Sequence, residues 1–195
     1  MTDFMPHILQ VVSGLGHPVF VNGDYNLNII GVRSPERVAN AFDDSLCVAY
    51  KVDGHWVCDW YEITTDPGSP YLKRPINSSG CAILAPGSYR GAYGIAKHRG
   101  KYDALCQINR PVTVYRDDNK NNLLDMTEDS KQTGMFGINI HKRDGDSDSV
   151  NGASAGCQVF RYADAFDKFM RVCRQQVNVR GFKTFTYTLI NQGDL

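Results

Sequence analysis

Short apolar runs, separated by turn residues at regular intervals, limit most strongly what this chain can fold into. The runs at 46–52 and 56–63 flank Asp53-Gly54, a dipeptide typical of a tight β-hairpin turn. Four more strand-like runs follow between turns rich in Pro, Gly and Ser, and they cover residues 81–84, 89–96, 104–109 and 111–116. Short strands at this spacing are typical of a β-sandwich or a barrel-like sheet.

Helical patterns lie on both sides of the strand-rich middle. Ser34-Pro35-Glu36 provides an N-cap followed by proline at the first helical position, which predicts that a helix begins there. Near the C-terminus, apolar residues recur at steps of three and four, as on the buried face of a helix. The predicted helices cover residues 4–12, 34–42 and 163–177, and a strand at 185–190 follows the last of them.

Together these patterns predict a β-rich α+β fold with a central sheet. A chain of 195 residues, 42% of them hydrophobic, is long enough to bury a sizeable core. We expect an N-terminal helical segment over residues 1–44, packed on a main domain over residues 45–195. Polar composition predicts two loops outside the sheet, at 117–134 and 142–153, and a strand at 135–141 between them.

Charge and hydropathy argue against several classes of function. The 21 basic and 21 acidic residues balance and form no basic stripe, so we predict no nucleic-acid partner. The sequence has no apolar run of about eighteen residues, so we predict no membrane span. The N-terminus lacks the basic and apolar regions of a signal peptide, so we expect synthesis in the cytoplasm.

The setting of one cysteine distinguishes it from the other five. Cys157 follows Ser154-Ala-Gly, and such small neighbours leave a sulfur accessible and let backbone N–H groups approach a substrate carbonyl. His141 ends a strand-like run sixteen residues earlier, and an imidazole is the usual base for a thiol. The remaining cysteines are expected in the core: Cys47, Cys58, Cys81, Cys106 and Cys173.

Metal-site patterns are weaker than this pair. Cys47, His55 and Cys58 fit no common zinc spacing, and strand alternation places them on different faces. A second stretch offers oxygen ligands at alternate positions, as a calcium loop does: Asp117, Asn119, Asn121 and Asp125. It lacks the glycine and the closing glutamate of such a loop, so we interpret it as a polar turn and predict no metal and no cofactor.

One more histidine lies in a turn. His98 stands in Lys97-His98-Arg99-Gly100, where a solvated side chain is the preferred interpretation. The alternative is that it lines a substrate cleft.

The order of the histidine and the cysteine resembles the catalytic motif of the L,D-transpeptidase catalytic domain, the YkuD family. That family has a histidine, a variable gap and Ser/Thr-His-Gly-Cys, followed by an aliphatic residue and Asn or Arg. His141 matches the histidine, and Ser154, Gly156 and Cys157 match the second block.

Two departures and two upstream matches complete this resemblance. Ala155 stands in place of the family's second histidine, and Gln158-Val159 replaces the pair after the cysteine. Upstream, residues 63–65 and 85–89 resemble the family's threonine-rich strand and its Pro-x-Gly-x-Tyr turn. The resemblance covers residues 45–160 and is specific only over 137–159.

The resemblance implies an L,D-transpeptidase-like β-sandwich or mixed sheet, with a helix after the catalytic cysteine. It also implies that the Cys157 thiolate attacks an amide of a peptidoglycan stem peptide, with His141 as general base and later acid. The backbone N–H groups near Gly156 and Cys157 would form the oxyanion hole, and an active pair is expected to depress the pKa of Cys157.

Other residues receive roles by the same resemblance. Ser154, Asn139 or a backbone carbonyl is expected to orient the His141 imidazole. Substrate-binding roles are expected for three residues, Asn139, Arg143 and Tyr89.

Two functions from different classes stay open at this point. The first is a peptidoglycan transpeptidase, or the corresponding endopeptidase or carboxypeptidase, with transfer and hydrolysis undecided. The second is a catalytically decayed wall-binding or virion structural module, which the departures at Ala155 and Val159 suggest. The motif also resembles a phage and prophage branch, which implies action on the cell wall after release and phage virion or lysis components as partners.

Overall fold

The computed structural model describes residues 4–145 and 147–195. The strands are β1 (Asn28–Arg33), β2 (Asp44–Val52), β3 (His55–Thr64), β4 (Cys81–Leu84), β5 (Gly87–His98), β6 (Tyr102–Gln107), β7 (Val112–Asp117), β8 (Gln132–Gly134), β9 (Ile140–Lys142), β10 (Gln158–Phe160) and β11 (Thr184–Asn191). The α-helices are α1 (His7–Gly14), α2 (Ser69–Lys73) and α3 (Ala163–Gln175). Shorter helical turns lie at Glu128–Ser130, Asn151–Ala153, Gln176–Arg180 and Gln192–Asp194. This content confirms the predicted β-rich α+β class.

Eight of the strands close into a barrel in the order β1-β11-β5-β6-β9-β10-β3-β2. The pairs β1–β11 and β9–β10 are parallel, and the other neighbours are antiparallel. Inward side chains of these strands form one core with the apolar face of α3, on which Phe166, Phe169, Met170 and Cys173 are buried. The predicted C-terminal helix and the strand after it are both confirmed.

A second, three-stranded sheet in the order β4-β7-β8 lies beside the barrel and carries its own small core. Helix α1 packs elsewhere, against outward side chains of β1 and β2 such as Val32 and Cys47. Within the described residues, no helix combines the length and the apolar character that crossing a membrane would require.

The β2–β3 hairpin has the predicted turn. Asp53 and Gly54 both have positive φ, 50° and 82°, as a type I′ turn requires, and Val52 pairs with His55 across it. One of its cysteines was placed wrongly, because Cys58 is exposed on β3 whereas the other four expected core cysteines are buried.

The helix predicted at 34–42 is wrong. The Ser34 hydroxyl accepts a hydrogen bond from the Glu36 N–H at 3.1 Å, which closes a turn and does not cap a helix. Further along, the Arg37 carbonyl accepts from the Leu124 N–H at 2.8 Å and Val38 bridges to Leu123, so this backbone pairs with a distant segment and not within a helix. The N-terminal segment also contributes a barrel strand, β1, which the helical prediction for residues 1–44 missed.

The strand predicted at 135–141 is shorter than expected and comprises only β9. Residues 136–138 do not pair with a strand, because their three N–H groups donate to Oε1 of Gln107 at 2.9–3.1 Å. The predicted polar loop before them contains β8, which pairs with β7. Next to the cysteine, the Gln107 side chain thus accepts the backbone hydrogen bonds that a neighbouring strand would accept in a sheet.

Candidate active site

Cys157 lies at the end of a tight turn that leads into β10, and Ser154 holds this turn. The fully buried Ser154 hydroxyl donates to the Cys157 carbonyl at 2.8 Å and accepts from the Gly156 N–H at 3.1 Å. The Ser154 carbonyl accepts from the Gly68 N–H at 2.9 Å. Ser154 therefore fixes the backbone around the sulfur and does not contact the His141 ring.

Gly156 is required by space as well as by conformation. Its φ is 121°, and a Cβ at this position would lie 2.3 Å from the Ala82 carbonyl oxygen. Its N–H, which we expected in an oxyanion hole, is already bound to the Ser154 hydroxyl. The other expected oxyanion donor, the Cys157 N–H, does not bind the Ser154 hydroxyl.

The sulfur of Cys157 is held by backbone groups of the segment that precedes β9. The Asn139 N–H donates to Sγ at 3.4 Å, and Sγ lies 3.5 Å from the Gly137 carbonyl, to which the thiol donates. Burial raises the pKa of Cys157 to about 11, and the Asn139 N–H and the positive charge of Arg99 act in the opposite direction. The resting group is therefore a thiol at neutral pH, and the expectation of a depressed pKa was wrong.

His141 lies on β9 and is almost fully buried. Its Nδ1 is 2.7 Å from the Lys142 carbonyl, which can only accept, so Nδ1 carries the proton and Nε2 has a free lone pair. Burial lowers the pKa of His141 to about 4, with the neighbouring His98 as the second cause. Among the three expected orienting groups, the backbone carbonyl is the one in contact with the ring.

The register of the β9–β10 pair brings Cys157 and His141 to the same face of the barrel. Val159 pairs with His141 and Gln158 with Ile140, and side chains two residues apart on a strand point to one side. Between described residues, however, the sulfur of Cys157 and the His141 ring share no hydrogen bond. The predicted pair thus makes no direct hydrogen bond in the resting structure.

A second histidine lies in this site, in agreement with the alternative interpretation of His98 as a residue that lines a cleft. His98, at the end of β5, is only 7% exposed, so it is not a solvated turn residue. Its ring stacks on that of His141 with a centroid distance of 4.0 Å and an interplanar angle of 20°. Its Nδ1 lies 3.2 Å from Nδ2 of Asn139, and burial lowers its pKa. The pairing of β5 with the sheet determines the position of His98, and the turn residues around His98 do not indicate this pairing.

Two adjoining clefts open over these residues. The larger, about 490 Å³, contains Cys157, and Asn139, Arg116, Ile76 and Met135 also line it. The smaller, about 230 Å³, contains His141, and the charged residues Lys101, Lys142, Arg143 and Asp144 also line it. His98 and Arg99 line both clefts, so these two residues lie where the clefts meet.

The other expected substrate-binding residues differ in their placement. Asn139 lines the larger cleft, and Arg143 lines the smaller one although its guanidinium also donates to the carbonyls of Ser147 and Ser149. Tyr89 lines neither cleft, because its hydroxyl is bound to the carbonyls of Ala85 and Thr113. Tyr89 therefore supports the turn at the start of β5 and is not placed to bind substrate in either cleft.

The calcium-like stretch is closed by its own hydrogen bonds. Asp117 accepts from the Asp125 N–H at 3.0 Å, and the side-chain oxygens of Asn119 and Asn121 accept backbone N–H groups two residues on. The amide nitrogens of both asparagines face Asp125. No group of three or more His, Cys, Asp or Glu placed to hold a metal ion occurs in the part of the chain that the structure describes.

A buried polar network lies beneath the cysteine turn. Nε2 of Gln158 is within reach of the carbonyls of Thr65 and Gly156, and its Oε1 accepts from the Tyr187 hydroxyl at 2.8 Å. Thr65 in turn contacts Arg33, whose Nε lies 3.1 Å from Asp66. The second carboxylate of this network is Asp44, which accepts from the Thr65 N–H and hydroxyl.

No family model matches this chain, and no curated protein and no solved structure matches it either. The resemblance described above therefore depends on its own residues, chiefly 137–159.

Proposed function

We propose that this protein is a cysteine acyltransferase or peptidase that attacks amides of peptidoglycan stem peptides. The observation that carries the proposal is the position of Cys157 in an open cleft that His98 also lines, together with the stacking of the neutral His98 ring on the neutral His141 ring. The substrate class comes from the resemblance of residues 137–159 to the L,D-transpeptidase motif.

The reaction begins from a neutral thiol and a neutral imidazole. As the carbonyl carbon of the substrate approaches, Nε2 of His141 takes the Cys157 proton while the sulfur forms a bond to that carbon. The carbonyl electron pair moves to oxygen and gives a tetrahedral oxyanion. Since the two side chains share no hydrogen bond at rest, a movement on substrate binding has to bring Nε2 to the thiol.

The second half of the reaction regenerates both groups. The tetrahedral intermediate collapses, the C–N bond breaks, and the departing amine takes the proton from the His141 imidazolium. The resulting thioester is then attacked by a second amine, which gives transfer, or by water, which gives hydrolysis. The openness of the larger cleft permits either nucleophile to reach the thioester.

The charges around the clefts suit an anionic peptide. Arg99 and Arg116 line the cleft that contains the sulfur, and Lys101, Lys142 and Arg143 outnumber Asp144 in the other. Carboxylates of a stem peptide would be attracted to both. Exposed Ile76 and Met135 on the larger cleft offer apolar contact to the remainder of the ligand.

The proposal is tested on purified sacculi of several stem-peptide compositions. We expect the wild type to change the muropeptide profile, read by mass spectrometry, and Cys157→Ala to leave it unchanged. Shorter muropeptides would indicate hydrolysis, and new dimers would indicate transfer. Cys58→Ala is the matched control because Cys58 is an exposed cysteine outside the clefts. Equal profiles for wild type and Cys157→Ala on every substrate would refute the proposal.

A second candidate is a wall-binding or virion structural module without catalysis. It is favoured by the raised pKa of Cys157 and by the hydrogen bond of its thiol to the Gly137 carbonyl. This candidate predicts that wild type and Cys157→Ala sediment equally with sacculi while neither changes the muropeptides.

A further inference from the structure

His98 and His141 carry their protons on opposite nitrogens. Oδ1 of Asn139 accepts from the Gln107 N–H at 2.9 Å, so its amide orientation is fixed and Nδ2 donates to Nδ1 of His98. The neutral His98 ring therefore has its proton on Nε2. His141 has the reverse arrangement, because its Nδ1 donates to the Lys142 carbonyl. His141 therefore presents its unprotonated Nε2 as a base, and His98 presents its Nε2–H as a donor.

The donor ring is placed at the meeting point of the two clefts. His98 lines the cleft that contains Cys157 as well as the one that contains His141. Asn139 connects it to the sulfur, since its side chain contacts His98 and its N–H contacts Sγ. Between residues 4–145 and 147–195, the hydrogen bond of the His98 ring is made by Nδ1, which leaves Nε2–H for a ligand.

The site also lacks one of its expected oxyanion donors. The Gly156 N–H is bound to the Ser154 hydroxyl, and this contact holds the turn on which the cysteine lies. A tetrahedral oxyanion in a cleft is stabilised best by two or more fixed donors. A neutral imidazole can serve as such a donor when its surroundings prevent protonation, and a buried, stacked ring meets that condition.

We propose that His98 is an oxyanion donor of this site, which gives a hydrogen bond from Nε2–H to the substrate oxygen. The proposal rests on the acyl-transfer function of Cys157. No proton leaves His98 in this step: the Cys157 proton goes to His141, the S–C bond forms, and the carbonyl electron pair moves to the oxygen that His98 contacts. When the intermediate collapses, the leaving group takes its proton from His141.

The test separates acylation from simple alkylation of the same sulfur. Acylation by p-nitrophenyl acetate passes through an oxyanion, whereas alkylation by iodoacetamide does not. His98→Phe keeps a ring that can stack on His141 but has no N–H, and His98→Gln keeps an N–H donor. Cys157→Ala supplies the blank for both reagents, and thermal unfolding followed by circular dichroism checks that each variant is folded.

We expect His98→Phe to slow Cys157 acylation by about 100-fold, in line with the loss of one oxyanion donor. Its alkylation rate should stay close to that of the wild type, and His98→Gln should retain most of the acylation rate. Wild-type acylation in His98→Phe would overturn the inference, as would equal loss of both reactions or equal loss in both variants. A wild type that the ester does not acylate at Cys157 would also overturn it.

This outcome is distinguishable from failure of the proposed function. The ester requires no recognition of peptidoglycan, so the role of His98 is measured even if sacculi prove to be unaffected. Conversely, turnover of sacculi by the wild type together with normal acylation in His98→Phe would support the proposed function and reject this role for His98.

Discussion

At the scale of single residues, the proposed nucleophile, Cys157, and the proposed base, His141, are both uncharged at neutral pH. Burial raises the pKa of Cys157 and lowers that of His141, so a preformed thiolate–imidazolium pair is disfavoured from both sides. The proposed reaction then depends on His141 staying unprotonated. The pH at which activity is lost on acidification therefore reports on this one ring.

The first prediction concerns this loss of activity at acidic pH. Because the pKa of His141 is lowered to about 4, the base is lost only as the pH falls through that value, and kcat/KM should be similar at pH 5 and pH 7. The measurement is kcat/KM for the activated ester across this range, with circular dichroism at each pH to verify folding. A decrease of kcat/KM as the pH falls from 7 to 6, as for an ordinary histidine, would show that His141 is not in this buried, neutral state.

The second prediction concerns the turn before the cysteine. Gly156→Ala would place a Cβ 2.3 Å from a backbone oxygen at a φ of 121°, so we expect a loss of about 2 kcal/mol or more in the free energy of unfolding. Gly152→Ala is the matched control, since a Cβ there meets no atom within 4 Å. Urea denaturation of the two variants checks this, and equal stabilities would contradict it.

At the scale of secondary-structure elements, the sequence patterns predicted correctly those elements that depend on interactions between residues close in sequence. The β2–β3 hairpin depends on Asp53-Gly54, and α3 depends on the spacing of its own apolar residues. By contrast, the segment at 34–42 is set by hydrogen bonds to residues 122–124, some eighty-five positions away. The cysteine and His141 were found from their neighbours, whereas His98 enters the site only through the pairing of β5, which no local pattern contains.

The third prediction concerns the segment that replaces a strand beside the cysteine. Gln107→Leu removes the single oxygen that accepts from residues 136–138, and leaving such groups unpaired costs about 1–3 kcal/mol each when they stay buried. We expect lower stability and faster hydrogen exchange at these three amides, measured by exchange and mass spectrometry. Gln10→Leu, at an exposed position, is the control. Unchanged exchange at 136–138 would contradict the assigned role.

At the scale of the whole molecule, the barrel encloses ionisable groups that make stability depend on pH. Burial, with Asp66 as the second cause, raises the pKa of Asp44 from 3.8 to about 7. The folded protein therefore holds this proton more tightly than the unfolded chain does. The contribution of Asp44 to stability is greatest at low pH and decreases as the pH rises from about 4 to 7.

The fourth prediction follows from this decrease in the contribution of Asp44 to stability as the pH rises. Asp44→Asn should remove this decrease, so the stability of the variant relative to the wild type should rise between pH 5 and pH 7. The difference between the two proteins is the relevant quantity, because the lowered pKa of His141 adds a slope of opposite sign to both. Urea unfolding at three pH values measures it. A difference that does not change with pH would refute the assignment.

The short parallel pair of β9 and β10 has a consequence for how this protein can vary. The placement of Cys157 relative to His141 is set by which residues pair across these strands, not by the number of residues that connect them. The connecting stretch after Arg143 reaches back to that residue through the carbonyls of Ser147 and Ser149. Insertions between positions 143 and 149 would therefore alter the rim of the smaller cleft, while the pairing that places Cys157 and His141 stays the same.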